Sequence, residues 1–130
     1  MRAAYLDSSA IVKLAVREPE STALRRFLRR RRPLVSSALS QTEVLRALLP
    51  FGAVALRRGR DVLTRIDLVR VNDRILGAAG GLLPPEMRSL DAIHLATARQ
   101  LGSDLAWVVT YDDRMGAAAR GLGLRVTAPS

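Results

Sequence analysis

The sequence predicts an α/β fold, a parallel sheet with helices on both faces. Three observations carry that prediction. Short apolar segments alternate with helix-type segments along the whole chain. The stretch 105–111, LAWVVTY, is almost continuously apolar, as strands are when both faces of a sheet are covered. Residues that start helices follow directly on two such strands, at Asp7-Ser8-Ser9 and at Asp112-Asp113. With 130 residues, the chain is read as one domain, 1–130. A chain of that length buries about two-thirds of its unfolded surface, enough for one core.

The elements follow in order. Residues 2–6 (RAAYL) form a first strand, and a helix follows over 8–16. Pro19 is expected to open a second helix, in which Ala23, Leu24, Phe27 and Leu28 form the apolar stripe and which Pro33 stops. LVSS is a second strand, 37–49 a third helix, and the Arg-rich segment from Gly52 to Asp67 a fourth. LVRV (68–71) is a third strand. A short helix from Asn72 breaks up at Gly80-Gly81 and Pro84-Pro85. SLDAIHLATARQLG, from Ser89, is apolar nearly all round and predicts a buried helix. After the fourth strand (105–111), a last helix runs from Asp112 to Gly121, and LRVTA is a fifth strand.

Composition excludes several chemistries. There is no cysteine, hence no disulfide, thiolate metal site or cysteine nucleophile. No apolar run approaches the roughly 18–20 residues of a membrane span. The apolar N-terminal stretch is interrupted at once by Asp7, unlike a signal peptide. The expectation is a cytoplasmic protein with no membrane partner. The formal net charge is +9, and Lys13 is the only lysine. A GC-rich coding sequence explains the preference for arginine, but not the excess of positive charge, which points to a polyanion such as nucleic acid.

The acids give the positive charge a chemistry. In open α/β sheets ligands bind beyond the carboxyl ends of the strands. Asp7 ends the first strand, Asp112 and Asp113 end the fourth, Asp91 lies in the first turn of the buried helix, and Glu43 lies early in the third. Carboxylates gathered at one edge repel unless a cation is present. Hard oxygen donors suit Mg²⁺ or Mn²⁺, and such a centre hydrolyses phosphodiesters without a protein nucleophile. Each acid also has a plainer explanation. Asp7 and Asp112 can cap helices, and Asp91 is favoured by the helix dipole. Ser40-Gln41-Thr42-Glu43 has capping-box spacing. With Leu45, Leu48 and Leu49 taken as the core stripe, Glu43 falls toward solvent or a solvent-open cleft. Position alone leaves these alternatives open.

Four blocks, YLDSSAIVKL, SSALSQTEVLRAL, RSLDAIHLATA and VVTYDDRMGAAARGLGLRV, resemble in order and spacing the motif blocks of the PIN-domain family, most nearly the toxins of VapBC-type toxin–antitoxin modules. The resemblance implies a PIN-like three-layer α/β/α sandwich whose five-stranded parallel sheet has the order 3-2-1-4-5. That order sets strands 1 and 4 side by side, with Asp7 and Asp112 at one crevice. It further implies a Mg²⁺-dependent endoribonuclease, with Mn²⁺ as a substitute, acting as the toxin of a type II system. Asp7, Glu43, Asp91 and Asp112 carry the catalytic and metal-binding roles, directly or through water, and Ser8 and Thr110 match the hydroxyl residues that accompany the first and last acids. A VapB-type antitoxin, an RNA substrate and a homodimer are the implied partners. Asp113 is a departure that leaves open which neighbouring acid faces the metal, although the spacing from Thr110 favours Asp112. Met115 stands where a Phe is common and fills similar volume.

Two rival readings accompany this one. The first is a non-catalytic RNA- or antitoxin-binding module on the same fold. The second is a receiver-like domain, which needs an acid pair where this chain has Asp7-Ser8-Ser9. His94 is expected to be a hydrogen-bonded core histidine rather than a general base, and Trp107 a core residue. The arginine runs at 25–32 and 57–65 are expected either to contact phosphates or to be solvated, and no stacking platform is apparent at 4% aromatic content.

Overall fold

All five strands run in the same direction. The computed structural model describes residues 2–130. Strands β1 (Ala3–Leu6), β2 (Leu34–Ser37), β3 (Asp67–Val69), β4 (Leu105–Val109) and β5 (Val126–Thr127) form one sheet in the order β3-β2-β1-β4-β5. Every neighbouring pair is parallel, with Tyr5 opposite Val35 on one side and Val108 on the other. The helices are α1 (Ser8–Ala15), α2 (Ser21–Leu28), α3 (Leu39–Leu48), α4 (Ala53–Thr64), α5 (Asp73–Gly80), α6 (Ser89–Arg99) and α7 (Asp113–Gly121). The chain winds outward from β1 through β2 to β3, then returns to the far side of β1 to lay down β4. Connections therefore diverge between β1 and β4, and divergence leaves a crevice at the carboxyl edge of the sheet.

Strand alternation divides the core between two faces. Ala4 and Leu6 of β1, with Leu34 and Val109, pack against Ile11, Leu24, Val44, Leu48 and Leu63 under α1–α4. Ala3 and Tyr5, with Val35 and Val108, pack against Leu95, Met115 and Ala119 of α6 and α7. Helix α5 closes this second face by setting Ile75 and Ala79 on Ala92 and Ala96. The expected three-layer sandwich and strand order are both present. Helix α6 is buried along most of its length, as its composition predicts.

The differences from the sequence reading are local. Helix α2 begins at Ser21 rather than Pro19, because the Ser21 hydroxyl donates to the Lys13 and Val16 carbonyls and accepts from the Glu18 amide. No capping box forms in α3. Its N-cap is Ala38, and Ser40 is buried with its hydroxyl 2.7 Å from that of Ser36. Because α3 starts where it does, Val44 and Leu48 face the core, and Leu49 is 48% exposed. Trp107 is half-buried rather than enclosed. Strands β3 and β5 are shorter than LVRV and LRVTA suggest, as outer strands paired on one side only.

Candidate active site

A cavity of about 310 Å³ opens at the β1/β4 crevice, and Asp7, Glu43, Asp91 and Asp112 all line it, with His94 and Arg88 beside them. The four acids come from four elements. The first and last stand immediately after β1 and β4, so the parallel pairing of those strands brings together two residues far apart in the chain.

Asp7 is the most enclosed of the four, 3% exposed. It caps α1, as its sequence position allows, with Oδ1 accepting from the Ala10 amide at 3.1 Å and from the Ser9 hydroxyl at 2.6 Å. Its Oδ2 accepts from the Thr110 hydroxyl. Ser9 in turn accepts from the Tyr111 amide at 2.9 Å, so the β1 and β4 loops are tied together around one carboxylate. Thr110, matched to the family pattern beside the last acid, thus bonds the first one. On the other side Ser9 makes this contact, while Ser8 only borders the cavity. Two adjacent serines gave no sequence signal to separate them, because their roles depend on how α1 leaves the sheet. Burial pushes the Asp7 carboxyl above the usual aspartate range, against the opposing pull of the Ser9, Thr110 and Ala10 hydrogen bonds.

Asp112 caps α7, with Oδ1 accepting from the Arg114 and Met115 amides at 2.9 and 3.1 Å. Capping and facing the cavity are therefore compatible for Asp7 and Asp112 alike. Asp113 lies in the first turn of α7 outside the cavity lining, whereas Asp112 lines it; both are exposed.

Asp91 has no such occupation. It projects from the first turn of α6, and no protein group among the described residues donates a hydrogen bond to it. Partial burial raises its pKa first, and the Asp112 charge raises it further, with Arg88 opposing. This is the like-charge condition expected of carboxylates gathered without a counterion.

Glu43 is held from the opposite wall. His94 Nε2 donates to its Oε1 at 2.6 Å, and His94 Nδ1 accepts from the Tyr5 hydroxyl at 2.7 Å. This tautomer gives both bonds a donor. Burial raises the Tyr5 pKa and keeps the phenol protonated. His94 is therefore buried and hydrogen-bonded, as expected. Its link to Glu43 was not visible in the sequence, because the two residues stand 51 positions apart on helices that only the tertiary fold brings together.

The donor set suits a hard cation. Its charged donors are carboxylate oxygens, the one sulfur in the lining is the thioether of Met115, and both nitrogens of the single imidazole are already engaged. Among the described residues no three acids or histidines stand ready as a closed cage. Mg²⁺ is bound through one or two carboxylates and keeps several waters, so oxygen donors of this kind are compatible with it.

Comparisons with known proteins agree with this fold. The PIN domain family model matches residues 4–121. Ribonuclease VapC46 of Mycobacterium tuberculosis is 65% identical over 130 residues, covering 100% of each chain. Ribonuclease VapC35 of the same species is 43% identical over 129 residues, covering 96% of each. Among solved structures, Mycobacterium tuberculosis VapC20, described as a sarcin-ricin loop cleaving toxin, superposes with a TM-score of 0.76 at 18% identity, over 97% of this chain and 99% of that one. A toxin-antitoxin complex from Klebsiella pneumoniae gives 0.73 at 21% identity, over 98% of both chains. Family model and full-length identity converge, and the chain belongs to the PIN-domain family, among its VapC members.

Proposed function

We propose that this chain is a metal-dependent endoribonuclease that hydrolyses RNA phosphodiester bonds and serves as the toxin of a type II toxin–antitoxin module. The observation that carries the reading is Asp91. Its carboxylate is partly desolvated and unoccupied by the protein, and it faces Asp112 across a cavity that Asp7 and Glu43 also line. A purely structural acid in a first helical turn has no need of a second carboxylate opposite it.

Asp7 and Asp91 would hold Mg²⁺ or Mn²⁺, with Asp112 and Glu43 completing the site directly or through water. When bound, such an ion supplies Lewis-acid activation and charge neutralisation for phosphodiester hydrolysis. The protein does the positioning. Ser9 and Thr110 fix the Asp7 carboxylate in one orientation, and His94 holds Glu43 toward the cavity, where its free oxygen can accept a proton from an attacking water. Arg88 brings a cation to the rim for a phosphate.

The named relatives support the substrate class, since the two quoted above are called ribonucleases. An antitoxin partner has a place to lie. A groove of about 960 Å³, with Pro84, Pro85, Met87, Ala117 and Ala118 in its walls, shares Asp91 with the carboxylate cavity. An extended antitoxin tail in this groove would reach the acids with a basic side chain and cover them. A homodimer belongs to the same proposal.

The test is induced expression of the chain in its host, with and without its co-purifying partner, followed by mapping of new RNA 5′ ends. Discrete new ends that vanish when the partner is supplied support the reading. An unchanged RNA population, with no Mg²⁺-dependent cleavage by the purified chain, overturns it.

A further inference from the structure

The arginine run of residues 25–32 does not border the carboxylate cavity. In a parallel sheet, residues that follow a strand lie at the carboxyl edge and residues that precede one lie at the amino edge. Asp7 and Asp112 follow β1 and β4, whereas Arg29–Arg32 lead directly into β2 and Arg65 leads into β3. The basic cluster therefore sits at the end of the sheet opposite the acids.

Two adjoining recesses organise it. One, of about 640 Å³, is lined by Arg26, Arg29, Arg30 and Arg31 with Phe27, and Pro129 and Ser130 close it from beyond β5. The other, of about 290 Å³, is lined by Arg25, Arg29, Arg32 and Arg65, and Arg29 is common to both. Among the described residues the ion pairs involve only Lys13 and His94, so none of these guanidinium groups is matched by a carboxylate. Asp67 and Asp104 lie at the same edge but in a separate recess with Arg2. A helix C-terminus is stabilised by one or two cations in its last turn. Seven arginines around two recesses exceed that need and repel one another.

Aromatic rings add a second feature. The Arg31 guanidinium lies 3.9 Å from the centroid of Phe27, and Phe27 meets Trp107 edge to face at 5.7 Å. The Arg125 guanidinium covers Trp107 at 4.0 Å. A guanidinium stacked on a ring keeps an outer planar face that a nucleobase can stack on; Arg31 Nη1 also donates to the Phe27 carbonyl at 3.0 Å, which fixes that plane over the ring. An acidic peptide would use the charge and not the stacked plane. At 4% aromatic content the chain has no aromatic-rich platform, and the stacked planes here are guanidinium groups lying on two rings.

We infer that the amino edge of the sheet is a second, non-catalytic binding surface for single-stranded RNA, in which Arg26, Arg29, Arg30 and Arg32 contact phosphates and the Arg31–Phe27 stack receives a base. Binding there needs neither metal nor cleavage, so it stands apart from the chemistry proposed for the cavity.

The test is metal-free binding of a fluorescein-labelled single-stranded RNA of about 30 nucleotides, long enough for several stacked bases, to the full chain over a range of salt concentrations. The triple variant Arg29→Gln, Arg30→Gln, Arg32→Gln is expected to bind roughly tenfold more weakly at low salt, and the slope of log affinity against log salt should flatten by about 2. The triple variant Arg57→Gln, Arg58→Gln, Arg60→Gln, with the same change in charge, should lose far less. Arg31→Lys keeps the charge and removes the plane, and it should weaken RNA by about two- to fivefold while leaving poly-glutamate binding unchanged. All substitutions are at exposed or half-buried arginines, and circular dichroism checks the fold. Equal losses from both triple variants, an unchanged salt slope, or equal effects of Arg31→Lys on RNA and poly-glutamate would overturn the inference.

Discussion

Glu43 Oε1 lies 2.6 Å from Nε2 of His94, across 51 residues of sequence, and this contact anchors one wall of the carboxylate cavity. Behind it, Tyr5 completes a buried chain from the sheet to the cavity. The chain leaves Glu43 half-buried, with one oxygen held and the carboxylate still lining the cavity.

The relay predicts separable effects of substitution. His94→Ala removes the partner of both Glu43 and Tyr5, and should cost about 2–4 kcal/mol in urea unfolding. Glu43→Gln keeps an acceptor oxygen for His94, so it should fold within about 1 kcal/mol of the parent while losing most RNA cleavage. Tyr5→Phe should cost about 1 kcal/mol and leave cleavage within a few-fold. Cleavage at the parental rate by Glu43→Gln would show that this acid is structural only.

Burial of Asp7 predicts a pH dependence opposite to that of a salt-bridged acid. Its folded pKa lies above the usual aspartate value, so between the two values the folded protein binds more protons than the unfolded chain. Metal-free stability should therefore fall as pH rises from about 3.9 through the raised folded value, and level off above it. Asp91 contributes in the same direction through burial and its repulsion by Asp112. Asp7→Asn should raise the metal-free Tm at neutral pH and abolish cleavage. Oδ1 still accepts from Ser9 and Ala10, and the Thr110 hydroxyl can turn to accept from the new amide. A lower Tm for Asp7→Asn across the whole pH range would contradict this.

Packing between α3 and α4 gives a prediction independent of function. Gly59 is buried in the interior of α4, where alanine is ordinarily better by about 1 kcal/mol. A Cβ at this position would run into Cδ1 of Leu48, which is itself fully buried. Overpacking costs about 1–3 kcal/mol and outweighs the gain in propensity. Gly59→Ala should lower the urea midpoint, whereas Gly77→Ala, with open space around its Cβ, should raise or preserve it. The opposite order would place the helix contact elsewhere.

Much of this architecture was legible in the sequence because local chemistry and tertiary structure agree. Asp7, Asn72 and Asp112 cap the helices that their positions announce. The alternation of elements gave the parallel sheet, and the four motif blocks carried its strand order. What the sequence did not reveal depends on contacts between elements. The Ser40–Glu43 spacing suggests a capping box, but Ser40 bonds Ser36 and Glu43 bonds His94, so tertiary partners take both side chains. The arginine run is conspicuous in composition. Only the direction of β2 shows that it lies at the edge of the sheet remote from the acids.

The central claim is that the carboxylate cavity performs metal-dependent RNA hydrolysis, and Asp91→Asn tests it most directly, because Asp91 accepts no hydrogen bond from the described residues and its amide is nearly the same shape. The measurement is the rate of cleavage of a labelled RNA by folded Asp91→Asn protein in Mg²⁺, beside the parent and beside a chelator control, with RNA affinity measured in parallel. The expected result is loss of at least about a hundredfold in cleavage, comparable to the loss of a key transition-state contact, with affinity equal or tighter because one repelling charge is gone. Full Mg²⁺-dependent cleavage by the folded variant would contradict the assignment of this cavity as the catalytic centre.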